Sequence, residues 1–285
     1  MNRRHFLHLL PGTALVHPCL GQPAPRSTTA NGSKQSSQQP ASIPATSAKA
    51  VIVVDAATGH PFFQKNADEK RQVASTQKLL TALLLCEAGN LDRLCTAAEY
   101  DAQAEPTKLF LKPGQQLPRR ELLKGMLMKS ANDAARCLAR NHAGTEPAFA
   151  GLMNRRAALL GMKSSIFQNA SGLPAENQHS TARDMALLAR AALCQPVIRR
   201  TVATREDTFT HADGRKVKLT NTNHLLTQSP YCHGMKTGFT DAAGKCLVSC
   251  GTFHGRTVIV VMLGSTLSTV WKESKALLHW ALGVA

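Results

Sequence analysis

Apolar residues beyond position 49 fall into two spacings. Val51-Ile-Val-Val-Asp55 is a short β-branched run, a turn follows at Ala57-Thr-Gly-His60, and Phe62-Phe63 resumes the apolar character, which predicts a hairpin. The far end mirrors it. Cys246 to Phe253 and Thr257 to Leu263 are β-rich and joined by His254-Gly-Arg, and Thr269 to Leu282 carries apolar residues at helical spacing. Between the ends, helical periodicity appears at Gln77 to Ala88, Arg120 to Met128, Asp133 to Asn141, Pro147 to Leu160 and Ala182 to Leu193. Strands at both ends with helices between predict an α/β chain of the α+β type: an antiparallel sheet built from the two chain ends, with a mostly helical lobe inserted.

The first 49 residues share neither spacing. Asn2-Arg-Arg-His-Phe-Leu7 joins paired arginines to a short apolar stretch and then to small residues near Gly21 to Ala24. Residues 1–24 therefore read as an export signal, and the general secretory and twin-arginine routes fit it equally. His8, Pro11, His17 and Pro18 make it too short and polar for a stable membrane span. Residues 25–49 are Ser, Thr, Gln, Pro and Ala with little to bury, which predicts a disordered linker. Residues 50–285 remain as one folded domain, and no run of about eighteen apolar residues in it suggests a membrane anchor.

The chain carries a formal net charge of +16. Five of its 34 Lys and Arg lie in 1–49, which has no acid, so the folded part sets 29 basic against 18 acidic residues, a net +11 that suits an anionic partner. Nucleic acid is disfavoured, because aromatics are only 5% of residues and no basic run is interleaved with them as a stacking groove requires. A wall polymer bearing free carboxylates satisfies the same charge. Seven cysteines follow Cys19, an odd number for an oxidising compartment, so at least one thiol stays unpaired. Cys86, Cys137 and Cys194 sit in helical patterns as small hydrophobes, and Cys246 and Cys250 lie about 13 Å apart along one strand, too far to bridge.

Candidate chemistry sits in three short stretches. Ser75-Thr-Gln-Lys78 opens a helix, so backbone N–H groups gather near the serine oxygen and Lys78 falls on the same face. A lysine takes a serine proton only when neutral, which burial and a second cation such as Lys236 favour. Ser130-Ala-Asn132 lies between two helices and offers a hydroxyl to relay a proton and an amide to hold a substrate backbone. Lys236-Thr-Gly238, placed just before a strand, offers a cation and a hydroxyl to a carboxylate, with Gly238 permitting close backbone approach. Each stretch also has an ordinary reading, as a capping serine with a solvated lysine, an N-cap and a glycine turn. Their joint occurrence in this order favours acyl transfer on a peptide that ends in a free carboxylate.

These stretches, with Phe167-Gln-Asn-Ala-Ser-Gly-Leu173, Ser180-Thr-Ala-Arg-Asp-Met185, Asn221-Thr-Asn-His-Leu225 and Met235-Lys-Thr-Gly-Phe-Thr-Asp-Ala-Ala-Gly244, resemble the D-alanyl-D-alanine carboxypeptidase family, the low-molecular-mass penicillin-binding proteins. Thr204-Arg-Glu-Asp207 and Asn221 to Leu225 look most like its soluble DD-endopeptidase branch. The resemblance implies an antiparallel five-stranded sheet in a transpeptidase fold shared with β-lactamases. It implies Ser75 as nucleophile, Lys78 as its base and Ser130 as proton relay. Asn132, Lys236, Thr237, Gly238, Phe239 and Thr240 would bind substrate, with the oxyanion between the backbone N–H groups of Ser75 and Phe239. No metal or cofactor is implied. The expected partners are peptidoglycan stem peptides and, as covalent inhibitors, β-lactam antibiotics, met in the periplasm.

Three departures stand out. Phe239 replaces a frequent histidine, Asn169-Ala-Ser-Gly-Leu173 replaces the commoner Asn-Pro-His-Gly-Leu, and Val270-Trp-Lys272 precedes Glu273 where carboxypeptidases often carry an arginine. The leaving groups of carboxypeptidase and endopeptidase reactions both bear an α-carboxylate, so only the space beyond it can separate the two activities. The rival readings are a serine β-lactamase, which lacks its Glu-x-x-Leu-Asn element here, and a catalytically silent wall-binding protein.

Overall fold

The structure, a computed structural model, describes residues 42–284. The expected export signal and the linker up to residue 41 lie outside the described residues. The chain enters through β1 (Ala50–Asp55) and β2 (Pro61–Lys65), then a 3-10 turn at Ala74–Gln77 and α1 (Lys78–Glu87). A lobe follows with β3 (Leu94–Thr96), α2 (Glu99–Ala102), β4 (Gln116–Pro118), α3 (Arg119–Met128), α4 (Asn132–Ala143), α5 (Glu146–Leu159), α6 (Ala182–Leu193) and α7 (Pro196–Ala203). The chain then forms β5 (Glu206–Thr210), β6 (Lys216–Thr220), α8 (Leu225–Gln228), β7 (Cys232–Thr240), β8 (Gly244–Phe253), β9 (Arg256–Ser265) and α9 (Val270–Leu282).

The two chain ends build a five-stranded antiparallel sheet in the order β2-β1-β9-β8-β7, as the pattern at the two ends predicts. Both faces of its centre are covered, which explains why Val51-Ile-Val-Val is an unbroken run rather than an alternation. Ile52, Val54, Ile259 and Val261 face the core shared with the helical lobe, while Val51, Val53, Val258 and Val260 face the core under α9. Helix α6 lies on the first face and α9 on the second. Helix α1 packs against α3, α4, α5, α6 and α7. It is apolar nearly all round, and most of its residues are fully buried.

Two boundaries differ from expectation. Residues 46–49 are already docked: Ala48 is buried, and Glu273 of α9 accepts hydrogen bonds from Thr46 Oγ1, Ser47 N and Ser47 Oγ. Composition alone reads these hydroxyl side chains as linker because their partner is 226 residues away. The Lys236-Thr-Gly238 stretch lies inside β7, not before a strand. Two glycines and a polar middle hide its strand character, which comes from pairing with β8: Lys236 opposite Val248, Thr237 opposite Leu247 and Gly238 opposite Cys246. The thiols of Cys86, Cys232 and Cys246 are pushed up to about 11 by burial, and burial raises Cys137 and Cys250 further, so they pack as small hydrophobes.

Candidate active site

The 3-10 turn that carries Ser75 is held in an uncommon shape. Ala74 sits at φ +47°, and Thr76 closes the turn by donating its N–H and its hydroxyl to the carbonyl of Val73, at 3.2 and 2.6 Å. Two glycines press on it from outside. A Cβ at Gly172 would stand 2.1 Å from the Ala74 carbonyl oxygen, and one at Gly238 would stand 2.9 Å from the Ser75 backbone nitrogen. The missing side chain at 238 thus lets β7 approach the serine turn and leaves the space beside the Ser75 N–H open.

Helix α1 begins at Lys78, one turn after Ser75, and brings the lysine Nζ to 2.8 Å from Ser75 Oγ. Lys78 is fully buried. Its Nζ donates to Asn132 Oδ1 at 2.7 Å and to the Ser171 carbonyl at 2.5 Å. A neutral amine has two hydrogens and one lone pair; two carbonyl acceptors take the hydrogens, and the lone pair is left facing the serine hydroxyl. Burial, and next the charge of Lys236, hold the Lys78 pKa well below the usual lysine range, with opposing pulls from Glu146 and Asp133. Geometry and electrostatics therefore agree on a lysine able to accept the serine proton.

Ser130 is the third reactive group. It occupies the left-handed region at φ +66° between α3 and α4, a conformation uncommon for serine, and its Oγ accepts from Lys236 Nζ at 3.0 Å. Lys236 is also buried and donates to the Thr237 carbonyl at 3.0 Å; burial, and secondarily Lys245, lower its pKa to about 7. Asn132 opens α4, but both hydrogens of its amide go to the carbonyls of Glu105 and Pro106 at 2.9 Å. It ties Lys78 to the 105–107 loop, and it lines the cleft in which the expectation places a substrate backbone. Asp133, in the first turn of α4, accepts from the N–H groups of Leu109, Leu111 and Ala134.

The cleft in front of these groups has a volume of about 450 Å³. Ser75, Ser130, Asn132, Thr237, Gly238, Phe239 and Thr240 line it, with the two lysines behind them. No aspartate or glutamate is among its lining residues. Thr222, within the stretch expected from resemblance, lines it too and shares a 2.6 Å hydroxyl contact with Thr237.

Two contributors escaped motif reading. The Ser171 carbonyl reaches Lys78 through main chain, so its residue type carries no signal; the Asn169 carboxamide shapes that loop, accepting from the N–H groups of Ser171 and Gly172. The altered Asn169-Ala-Ser-Gly-Leu173 sequence still supplies the acceptor. Glu146, mostly buried at the start of α5, accepts from the Ala170 N–H at 3.0 Å and from Tyr100 Oη at 2.7 Å. In sequence it is only an acid in a first helical turn, a position the helix dipole favours anyway.

An activated serine on a helix-opening turn, its buried lysine and a cation-bearing strand edge define the active-site-serine acyl-transfer class on a DD-peptidase fold. The chain belongs to the D-alanyl-D-alanine carboxypeptidase family, whose model matches residues 34–266. It is 36% identical to D-alanyl-D-alanine carboxypeptidase DacC of Escherichia coli over 85% of this chain and 63% of that protein. It is 35% identical to a D-alanyl-D-alanine endopeptidase of Pseudomonas aeruginosa over 74% of this chain and 69% of that one. The chain spans about three fifths of the length of DacC and of the Bacillus subtilis carboxypeptidase DacF. A crystal structure of a D-alanyl-D-alanine carboxypeptidase from Mycobacterium tuberculosis superposes with a TM-score of 0.81 at 32% identity, covering 87% of this chain and 97% of that one.

Proposed function

We propose that this protein is an exported, periplasmic serine DD-peptidase that cleaves peptidoglycan stem peptides between D-residues through an acyl-enzyme on Ser75, and that β-lactams trap the same serine. The observation that carries this is the Lys78 amine, buried, 2.8 Å from Ser75 Oγ and with both hydrogens of its neutral form accounted for. Ser75 Oγ attacks the carbonyl carbon of the penultimate D-residue while Lys78 takes its proton. The developing oxyanion meets the backbone N–H groups of Ser75 and Phe239, each such donor contributing roughly 3 kcal/mol. Ser130 relays the proton taken up by Lys78 to the departing amine as the C–N bond breaks, so both side chains return to their starting state, and the substrate carboxylate rests against Lys236, Thr237 and Thr240. Water then hydrolyses the ester and frees Ser75. Relatives named both carboxypeptidase and endopeptidase support the reaction class.

The cleft argues against fast β-lactam hydrolysis, because among the described residues no carboxylate lines it to activate a water on the penicilloyl ester. Intact mass spectrometry after mixing with benzylpenicillin tests the proposal: one slowly released adduct is expected on Ser75 and none on Ser75→Ala. Rapid penicillin turnover would establish the β-lactamase reading, and a chain that gains no adduct would be a silent binding protein.

A further inference from the structure

One wall of the cleft is not used by the chemistry above. Across the ends of three strands, Phe239 of β7 lies opposite Lys245 of β8, and Lys245 lies opposite Ser265 of β9. Two residues after Ser265 the turn into α9 places Leu267 on the cleft, and the first turn of α9 places Trp271 there. Phe239 is 50% and Leu267 62% exposed, two of the few large apolar side chains the described fold leaves in water, and both open onto the same cavity. Scattered exposed hydrophobes need no explanation; a row of them lining the wall beside a reactive serine does. Trp271 is braced by the His224 ring, stacked at 4.6 Å between centroids and 21° between planes, so it presents a fixed face. Lys245 closes the row, its ammonium 5.2 Å from the Phe239 ring centroid. On α9 the neighbouring Lys272 is not among the lining residues, and Glu273 is engaged with residues 46–47. This helix therefore offers the cleft an aromatic face and no charge.

We infer that Leu267, Trp271 and the Phe239 ring form a leaving-group shelf that binds the aliphatic stem of a departing diamino acid, with Lys245 facing an acid farther along that peptide. The protein would then favour cross-linked stem peptides over release of a terminal D-alanine. The inference rests on the DD-peptidase reading and deepens it. The α-carboxylate common to both leaving groups is held at Lys236, Thr237 and Thr240, and the shelf begins where that strand edge ends. A terminal D-alanine has only a methyl group to place there. A cross-link places a methylene chain, which has far more apolar surface to bury against the shelf.

The test compares kcat/KM for two purified substrates, a D-alanyl cross-linked muropeptide dimer and an uncross-linked pentapeptide monomer, in the wild type, Leu267→Ser, Trp271→Ala, Trp271→Phe and Lys245→Gln. The wild type should prefer the dimer. Leu267→Ser and Trp271→Ala should lower the dimer-to-monomer ratio about tenfold, the scale of one lost apolar contact in a specificity pocket, mainly through KM for the dimer. Trp271→Phe should restore most of the ratio, and Lys245→Gln should weaken its dependence on salt. Penicillin labelling of Ser75 in each variant reports an intact cleft. A wild type that prefers the monomer, or labelled variants whose ratio stays within about twofold of wild type, would overturn the shelf while leaving the acyl-enzyme proposal standing. Failure of the wild type to take penicillin would overturn that proposal instead.

Discussion

The two walls of the cleft are built on opposite principles. On the wall formed by the serine turn, α1 and the 169–172 loop, every polar contact around Lys78 is assigned: Asn132 Oδ1, the Ser171 carbonyl and Ser75 Oγ surround a fully buried amine. On the wall formed by the ends of β7 to β9 and the start of α9, exposed apolar groups and one cation face the cavity with few directional contacts. Saturated hydrogen bonding fixes one geometry, which bond-making requires. An apolar wall discriminates by size and shape and tolerates variation. The comparison locates reaction type on the first wall and substrate preference on the second.

The largest effects should come from the saturated wall. Replacing the base, Lys78→Ala, should lower the rate of penicillin acylation about a thousandfold or more, because general-base transfer is worth about 10²–10⁴-fold and the Ser75 hydroxyl keeps its proton. Stopped-flow acylation measures it; a loss under tenfold would mean that another group accepts the proton. Next is Gly238→Ala. Its Cβ would stand 2.9 Å from the Ser75 nitrogen, so β7 must withdraw from the serine turn and spoil the donor pair for the oxyanion. Acylation should fall about a hundredfold, as expected when one oxyanion donor is lost, with some loss of thermal stability from the overpacked turn; acylation within about tenfold of wild type would show that the turn gives way without moving the donors.

Legibility in the sequence follows the same division. The periodicity of α1, α3 to α6 and α9 and the β-rich runs at both ends give the sheet-plus-lobe architecture, because amphipathic and buried elements write their burial into residue type. The two-stranded sheets β3–β4 and β5–β6 are too short and polar to do so. The middle of β7 reads as a stretch just before a strand because its two glycines and polar residues serve the cleft instead of a core. Side chains that react, Ser75, Lys78, Ser130 and Lys236, are visible through motif spacing. Support given by main chain, as at Ser171, or by an acid on a distant helix, as at Glu146, is not visible, because it depends on tertiary approach between segments tens of residues apart. The shelf is similarly hidden: Phe239, Lys245, Leu267 and Trp271 become neighbours only through strand register.

A smaller, diagnostic effect concerns pH. Lys78 must be neutral to act, so acylation rises as pH rises through its pKa, which burial and the Lys236 charge hold well below the usual lysine value. A neighbouring cation disfavours protonated Lys78; removing it favours protonation and raises the pKa. Lys236→Gln should therefore move the acid limb of the acylation profile to higher pH, still short of an ordinary lysine, because desolvation, the larger cause, remains. The rate at the plateau should fall too, since Ser130 loses its Lys236 donor. An acid limb that does not move would show that Lys236 acts on the carboxylate and on Ser130 and not on the protonation of Lys78.

The smallest expected effect tests whether the second wall depends on its outer anchoring. Glu273 lies two residues from Trp271 on α9 and accepts from Thr46 Oγ1, Ser47 N and Ser47 Oγ at 2.9, 3.1 and 2.8 Å, tying the segment before β1 to the helix that carries the aromatic face. Because Ser47 is exposed, removal of the carboxylate should cost only about 1 kcal/mol, a few degrees in Tm for a domain of this size. Glu273→Ala should also make the 42–49 segment easier to cut by protease. Helix α9 keeps its other partners, with Leu277 and Leu278 buried under the sheet, Ser274 bonded to Ser249 and His279 to Ser229, so it should stay in place. Penicillin acylation and the dimer-to-monomer ratio should both match the wild type. A fall in that ratio with acylation intact would show that the position of Trp271 is set from outside the cleft, through residues 46 and 47, and not by its stack on His224.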